Sequence, residues 1–242
     1  MKNSTENIDL DEKSKFNALA SEWWDPQGEI QTLHDINPTR LIYIEDHINL
    51  ADKQILDVGC GGGLLTEALA VRGGLVTGID ISEHLLHVAD EHAKKANLDI
   101  TYTCTTVENF SSNHSNAFDV ITCMELLEHV PDPGSVINAC MHLIKPGGLL
   151  FLSTINRNLK AYVQTKIAAE YILKLLPVGT HEYSKYIRPS ELASWCRTSG
   201  FTVIDISGIT YLPFVRYCRI KDKPDVNYLL CAQANAQVND TL

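Results

Sequence analysis

An α/β domain with a mostly parallel sheet and helices on both faces is predicted by three observations. Short apolar runs recur with helical stretches between them, the first run leads into a glycine-rich turn, and the runs are apolar almost throughout. Strand–helix alternation is the pattern of crossover units, and continuous apolarity marks strands buried on both sides. The strand runs lie at 54–58, 75–81, 100–104, 118–124 and 148–155. Helical patterns fill 63–72, 82–97 and 134–144, the second with Ser82 placed to cap its free N–H groups. After Thr154 the rhythm changes: 157–176 reads as a long helix where a short crossover would suffice, and Pro177 and Gly179 open a loop. A helix at 189–199 then leads to two last strands, 201–210 and 227–234, expected at the sheet edge and joined by the turn-rich stretch 212–225.

A chain of 242 residues is long enough for one domain with a modest insert, and it contains no internal repeat. We expect a single domain over 1–242, with an N-terminal helical cap over 12–50 and an insert over 157–188. Thirty acidic residues against twenty basic ones give a formal charge of -10, which repels polyphosphate and argues against a nucleic-acid partner. Seven cysteines are scattered with no Cys-x-x-Cys pair, the pattern of reduced, mostly buried thiols in a cytosolic protein. The first residues lack an apolar core of the secretory type, and no run approaches the roughly 18 apolar residues of a membrane span.

The strongest local signal is Ile55 to Gly63, a buried strand running into Gly59, Gly61, Gly62 and Gly63 and then into a helix. Glycines let the backbone approach a ligand closely, and a helix N-terminus favours negative charge. Asp80 ends the next strand at about the 20-residue separation at which a carboxylate accepts hydrogen bonds from ribose hydroxyls. Leu64 stands where a dinucleotide fingerprint requires glycine, so the pattern suits a nucleoside cofactor without pyrophosphate better than a nicotinamide dinucleotide. Upstream, Asn37-Pro38-Thr39-Arg40 reads as a helix start, with Asn37 capping, Pro38 at the first position and Arg40 in the first turn.

Leu56-Asp57-Val58-Gly59-Cys60-Gly61-x-Gly63, Asp80, and Lys145-Pro146-Gly147-Gly148 before a strand resemble the class I S-adenosylmethionine methyltransferases over most of residues 38–235. The resemblance implies a Rossmann-like, seven-stranded, mostly parallel sheet whose last strand is antiparallel, with a helical insert after the fifth strand and S-adenosyl-L-methionine over the strand C-termini. It further implies that Gly59 and Gly61 pack on the methionine moiety and Arg40 grips its carboxylate. Asp80 would hold the ribose, Thr106, Val107 and Glu108 would flank the adenine, and Met124 would lie beneath the cofactor.

Further segments are similar to the O-methyltransferases of ubiquinone biosynthesis, nearly end to end. They are Phe16-Asn17-x4-Trp23-Trp24-Asp25, Leu33-His34-x-Ile36-Asn37-Pro38-x-Arg40-Leu41, Cys123-Met124-Glu125-x-x-Glu128-His129-Val130-Pro131-Asp132-Pro133, Thr154-x-Asn156-Arg157-Asn158 and Gly179-Thr180-His181. This resemblance implies two O-methylations, of a 2-polyprenyl-6-hydroxyphenol and a 3-demethylubiquinol, and other enzymes of that pathway among the partners. A neutral phenol with a pKa of about 10 is a feeble nucleophile, so a base or charge stabiliser is required. Glu125-x-x-Glu128-His129 offers two readings. Glu128 and His129 can act as catalytic acid–base groups with His129 as general base. Alternatively Glu125, Glu128 and His129 can ligate a divalent ion, Mg²⁺ for so oxygen-rich a set, in keeping with the requirement ascribed to eukaryotic members of the family. His34 and His181 are alternative bases. Competing readings are a nicotinamide-dependent reductase and a cofactor-binding scaffold without catalysis.

The 157–188 stretch carries Arg157, Lys160, Lys166, Lys174, Lys185 and Arg188 against Glu170 and Glu182, a formal excess of four positive charges in an acidic chain. Leu159, Val163, Ile167, Tyr171 and Leu175 recur every fourth residue. A basic amphipathic helix of this kind suits either an anionic membrane surface or a lid over the acceptor. The resulting expectation is a cytoplasmic enzyme bound peripherally to the inner face of the membrane, where a polyprenylated substrate resides.

Overall fold

The apolar runs become the centre of one eight-stranded sheet of order β3-β2-β1-β4-β5-β8-β6-β7 in the computed structural model, which describes residues 7–162 and 183–236. The strands are β1 Gln54–Val58, β2 Leu75–Asp80, β3 Thr101–Cys104, β4 Phe118–Met124, β5 Ile144–Ile155, β6 Phe201–Leu212, β7 Tyr217–Lys221 and β8 Asn227–Ala234. The helices are α1 Leu10–Ala18, α2 Gln31–Glu45, α3 Leu64–Val71, α4 Glu83–Lys95, α5 Val107–Ser111, α6 Pro133–Leu143, the single turn α7 Leu159–Ala161, and α8 Pro189–Thr198. Alternate residues of each central strand feed opposite faces. Leu56, Ile121, Leu150 and Leu152 enter one core, whereas Ile55, Val120, Leu149 and Phe151 enter the other. Both cores exclude water from the same strands, which explains why their sequence shows no polar face.

β1, β2, β3, β4 and β5 are parallel, with Ile55 opposite both Val76 and Val120. The α/β class and the boundaries expected for β1 and β4 hold. Two expectations do not. The sheet has eight strands where seven are implied by the resemblance, because 212–225 contains β7, which forms a hairpin with β6 through Ile209↔Ile220 and Leu212↔Tyr217. Tyr211, Cys218 and Ile220 pack against the second core beside Tyr211 of β6, so part of this turn-rich stretch has an apolar face to bury. The 227–234 strand is not at the edge. It lies between β5 and β6, antiparallel to each, with Phe151↔Cys231 and Ile206↔Leu230. Tyr228, Leu229, Leu230, Cys231 and Ala232 are all fully buried, a pattern only an interior strand satisfies.

The N-terminal part folds over the C-terminal edge of the parallel strands. Asp9 caps α1 by accepting from the N–H groups of Asp11 and Glu12. Ala20, Trp23 and Ile30 then pack on Leu85 of α4. α2 begins at Gln31, seven residues before the predicted first position at Pro38, which lies inside it. An interior proline removes one helical hydrogen bond, and the burial of Ile36, Leu41, Tyr43 and Ile44 on the second core carries the helix through it. Asn37 is therefore not a cap. Its amide donates instead to Leu64 O at 3.1 Å, tying α2 to the start of α3.

Of the long helix expected at 157–176, the described part is α7 and Tyr162; 163–182 lie outside the described residues. Five of the seven cysteines are buried, with Cys104 exposed and Cys218 half-buried. No helix among the described residues is long and apolar enough to cross a membrane.

Candidate active site

One large cavity, about 1080 Å³, lies over the C-terminal ends of β1, β2 and β4 and is roofed by α1 and α2. Arg40, Gly59, Gly61, Asp80, Met124, Glu125, Glu128 and His129 all line it, so these eight candidates converge on one space. His34 does not, and its Nε2 is engaged with Trp23 O at 2.9 Å. His181 lies outside the described residues.

The cofactor half is organised by two carboxylates. Asp57 is buried between the hydroxyls of Thr66 and Thr122, each donating at 2.7 Å, and burial pushes its pKa up to about 6 despite them. Asp80 accepts N–H bonds from Ser82 at 2.8 Å and Gly61 at 3.0 Å, which oppose the upward pull of burial on its carboxyl. Asp80 thus holds the glycine turn closed and faces the cavity from the end of β2. Gly59 and Gly61 both have positive φ, 69° and 55°. A Cβ on Gly61 would stand 2.5 Å from the Trp23 ring, and one on Gly62 would stand 2.3 Å from it. Trp24 Nε1 donates to Gly62 O at 3.0 Å, and its ring stacks on His92 at 3.5 Å. The paired tryptophans clamp the glycine loop from above, which sequence reading noted only as part of a family pattern. Replacing Gly61 by Ala is expected to cost about 1–3 kcal/mol through overpacking, a fall in Tm of roughly 2–4 °C per kcal/mol, and to weaken cofactor binding. Thermal unfolding and cofactor titration check both.

Arg40 projects from the middle of α2 rather than its first turn. It is buried, and Nη2 lies 3.1 Å from Glu125 Oε1. That contact has ion-pair distance without hydrogen-bond alignment, and neither Nη2 nor Nε has a hydrogen-bond partner among the described residues. A buried guanidinium with idle donors on a cavity wall is matched to an incoming anion. With Asp80, the glycine turn and this cation in one cavity, the residues fit an amino-acid-bearing nucleoside such as S-adenosylmethionine. Beside the cavity, Thr106 caps α5, and Glu108 accepts from Asn7 at 2.8 Å and Ser135 at 2.9 Å.

At the end of β4 the backbone takes an unusual turn. Glu125 has φ 52°, a left-handed conformation that a residue other than glycine rarely adopts unless it is held there. Ser153 holds it, because the Glu125 N–H bonds to Ser153 O and Oγ and the Ser153 hydroxyl donates to Glu125 Oε1 at 2.7 Å. Leu127–His129 follows as one 3₁₀ turn, so Glu125 and Glu128 meet through this bend and not along an α-helical face. Burial opposes the charge of Glu125, but Arg40, Ser153 and a hydrogen bond from Glu128 outweigh it and hold its pKa low. Burial and the Glu125 charge drive Glu128 the other way, well above the usual carboxylate range, while Thr154 donates to Glu128 Oε2 at 2.8 Å.

His129 Nδ1 lies 2.8 Å from Glu12 Oε2 on α1, and Phe16 packs edge-on against the ring at 5.1 Å. The His129 hydrogen bond, followed by Lys15, outweighs burial and lowers the Glu12 pKa to about 2, so Glu12 is an acceptor and Nδ1 carries the hydrogen. Burial would lower the His129 pKa, but Glu12, Glu128 and Glu125 together raise it. Glu12, Ser153 and Thr154 are the functional partners that the sequence did not single out. No spacing rule links Glu12 to a histidine 117 positions away.

The three predicted metal ligands do not fit an ion as arranged. Glu125 faces Arg40 and Ser153, Glu128 faces Thr154, and His129 Nδ1 faces Glu12. Among the described residues no three His, Cys, Asp or Glu side chains are grouped to hold a metal.

Residues 39–206 match the family model described as a methyltransferase domain. A ubiquinone biosynthesis O-methyltransferase of Azotobacter vinelandii is 53% identical over 224 residues, covering 93% of this chain and 97% of that protein. One of Coxiella burnetii is 53% identical over 228 residues, covering 94% and 97%. Among solved structures, magnesium protoporphyrin IX methyltransferase from Synechocystis PCC 6803 with bound SAH has TM-score 0.69 at 21% identity, covering 92% of this chain and 98% of that one. A SAM-dependent methyltransferase from Methanosarcina mazei has TM-score 0.63 at 23% identity, covering 81% and 98%. These two structural likenesses concern the fold.

Proposed function

The chain belongs to the ubiquinone biosynthesis O-methyltransferases, and from that premise we propose that it methylates the phenolic oxygens of 2-polyprenyl-6-hydroxyphenol and 3-demethylubiquinol with His129 as general base. The observation that carries this reading is the Glu12–His129 pair, which fixes the imidazole tautomer inside the cavity that also holds Arg40 and Asp80. With its hydrogen on Nδ1, the ring keeps Nε2 for the acceptor hydroxyl, the division of labour found wherever a carboxylate orients a catalytic imidazole. When bound, S-adenosylmethionine supplies an electrophilic methyl on a sulfonium. Arg40 would hold the methionine carboxylate, Asp80 the ribose, Gly59 and Gly61 the chain between them, and Met124 the underside. His129 takes the phenolic proton, and the cavity aligns the oxygen for in-line transfer.

Glu128 is a tuning residue in this scheme: burial and the Glu125 charge push its pKa up to about 7, and once ionised above that pH its charge raises the His129 pKa. Glu128→Gln removes that charge, so the His129 pKa falls and the neutral, basic ring persists to lower pH. The acidic limb of the kcat/KM profile is therefore expected to move toward acid. A limb that stays in place, or moves toward alkali, contradicts the assignment.

Methyl transfer from labelled S-adenosylmethionine to a short-chain demethylubiquinol and a prenylated catechol tests the function itself, run with and without Mg²⁺. Transfer to both supports the two-step reading; cofactor binding without transfer to either removes the acceptor assignment. Exhaustive chelation is the arm that bears on Glu125, Glu128 and His129 as ligands, since ion binding there would require them to leave the partners described above. We also propose peripheral attachment to an anionic membrane through 157–188. Of its basic residues, Arg157, Lys160 and Lys185 pair with Glu191, Asp225 and Asp9, so the electrostatic share rests on exposed Arg188 and on Lys166 and Lys174, the last two outside the described residues. Changing both to Glu should weaken flotation with phosphatidylglycerol vesicles.

A further inference from the structure

β5 and β6 are both antiparallel to β8, so they run parallel to each other. The C-terminal end of β6 therefore lies at the same sheet edge as the ends of β1, β2 and β4, and the β6–β7 turn projects beyond the cavity. That turn reads Leu212-Pro213-Phe214-Val215-Arg216-Tyr217. Phe214 is 83% exposed, Val215 68%, Tyr217 51% and Leu212 48%. Four large apolar side chains contiguous on one tip are more than scattered surface residues require. Leu212, Pro213 and Phe214 also line the cavity, so an apolar strip runs from its interior onto the outside of the molecule.

The tip is held rigid. Arg216 turns the chain with φ 49°, and its guanidinium grips Asp35 of α2 at 2.7 Å and Pro26 O at 3.0 Å. The apolar side chains are thus displayed on a braced turn. Behind them, 212–223 contains Arg216, Arg219, Lys221 and Lys223 against Asp222 alone. Asp35 pairs with Arg216 and Asp225 is shared between Lys160 and Lys221, whereas Arg219 and Lys223 are exposed and form no ion pair among the described residues.

We propose that this tip is a lipid-inserting wedge: Leu212, Phe214, Val215 and Tyr217 enter an anionic bilayer, Arg219 and Lys223 contact its headgroups, and the acceptor cavity opens on the membrane side. An apolar point backed by basic residues, on a chain of charge -10, complements an anionic lipid surface. A protein partner would need roughly 800 Å² of complementary surface on each side, far more than one turn presents. The passage of a prenyl tail along the apolar strip rests on the acceptor proposed above; the lipid contact does not.

Val215→Trp places a reporter on the tip, against the background of Trp23, Trp24 and Trp195. In phosphatidylcholine–phosphatidylglycerol vesicles with brominated acyl chains, emission of the variant should be quenched more than that of the unaltered protein. Val215→Asp combined with Arg219→Glu should weaken flotation with the same vesicles about tenfold or more. The double variant should still methylate a short-chain acceptor in solution and lose turnover on a long-chain acceptor embedded in vesicles. Absence of added quenching, equal flotation of the double variant, or no flotation of the unaltered protein would each overturn the wedge. Self-association in light scattering that Val215→Asp abolishes would assign the tip to a second copy instead. If quenching and flotation behave as expected while neither acceptor is methylated, the wedge stands and the proposed reaction falls.

Discussion

His129→Ala will lower kcat by about 10²–10⁴ on both acceptors, the range for removing a general base, and leave cofactor affinity unchanged. The ring reaches the cavity from the 3₁₀ turn after β4, and it is held by Glu12 and Phe16 of α1, neither assigned to the cofactor, so binding and turnover should separate cleanly. Added imidazole should restore part of the activity, and the acidic limb of the pH profile should vanish. Glu12→Gln tests orientation: it keeps the side-chain shape, removes the charge that fixes the tautomer, and should lower kcat less than loss of the ring. The pair also has a stability signature. Glu12, depressed to about 2, contributes stability that is present above its unfolded pKa and lost as pH falls toward 2. His129, raised, contributes stability that is full below its unfolded value of about 6.5 and lost as pH rises through its folded pKa. The Tm deficit of Glu12→Gln should therefore be largest between the two unfolded values, in mildly acidic solution. A deficit that is flat with pH would mean the pair is not ionic.

Arg40→Met should produce the second large effect, in binding rather than turnover. Loss of a charge-assisted hydrogen bond costs about 1.5–3 kcal/mol, or roughly 10- to 150-fold in cofactor Kd at 1.4 kcal/mol per tenfold. The same change strips Glu125 of its counterion, and breaking a buried pair from one side typically costs about 3–5 kcal/mol of stability. Arg40→Met with Glu125→Gln separates the two effects. The double variant should recover most of the lost Tm and none of the lost affinity, as read by calorimetry at several cofactor concentrations. Recovery of affinity would show that Arg40 serves the fold alone.

Much of this site is legible in the sequence because its parts are local. Gly59, Gly61 and Asp80 are set by strand ends and one turn, and Met124 to His129 by the end of β4, so pattern and spacing suffice to find them. Arg40 was found with the wrong local geometry. A helix start at Asn37-Pro38 is the better local reading, and burial of α2 against the second core overrides it. What escaped is tertiary. The Glu12–His129 pair spans 117 positions and the Arg40–Glu125 pair joins α2 to the turn after β4, and neither leaves a periodic trace. The position of β8 escaped for the same reason: five consecutive buried residues announce an interior strand but do not name its neighbours.

That position of β8 has a consequence for the making of the molecule. During synthesis the strands β1 to β5 emerge in an order that lets each pair with one already present, and the cofactor half can close around them. β5 and β6 cannot be joined until 227–234 leave the ribosome, because β8 is the only strand between them. Until then β5, with Phe151 and Leu152, stands as an unpaired apolar edge of the kind that recruits other chains. A stalled or clipped product ending before Asn227 should thus be a source of aggregates and a target for chaperones, although it contains the glycine turn, Asp57, Asp80 and His129.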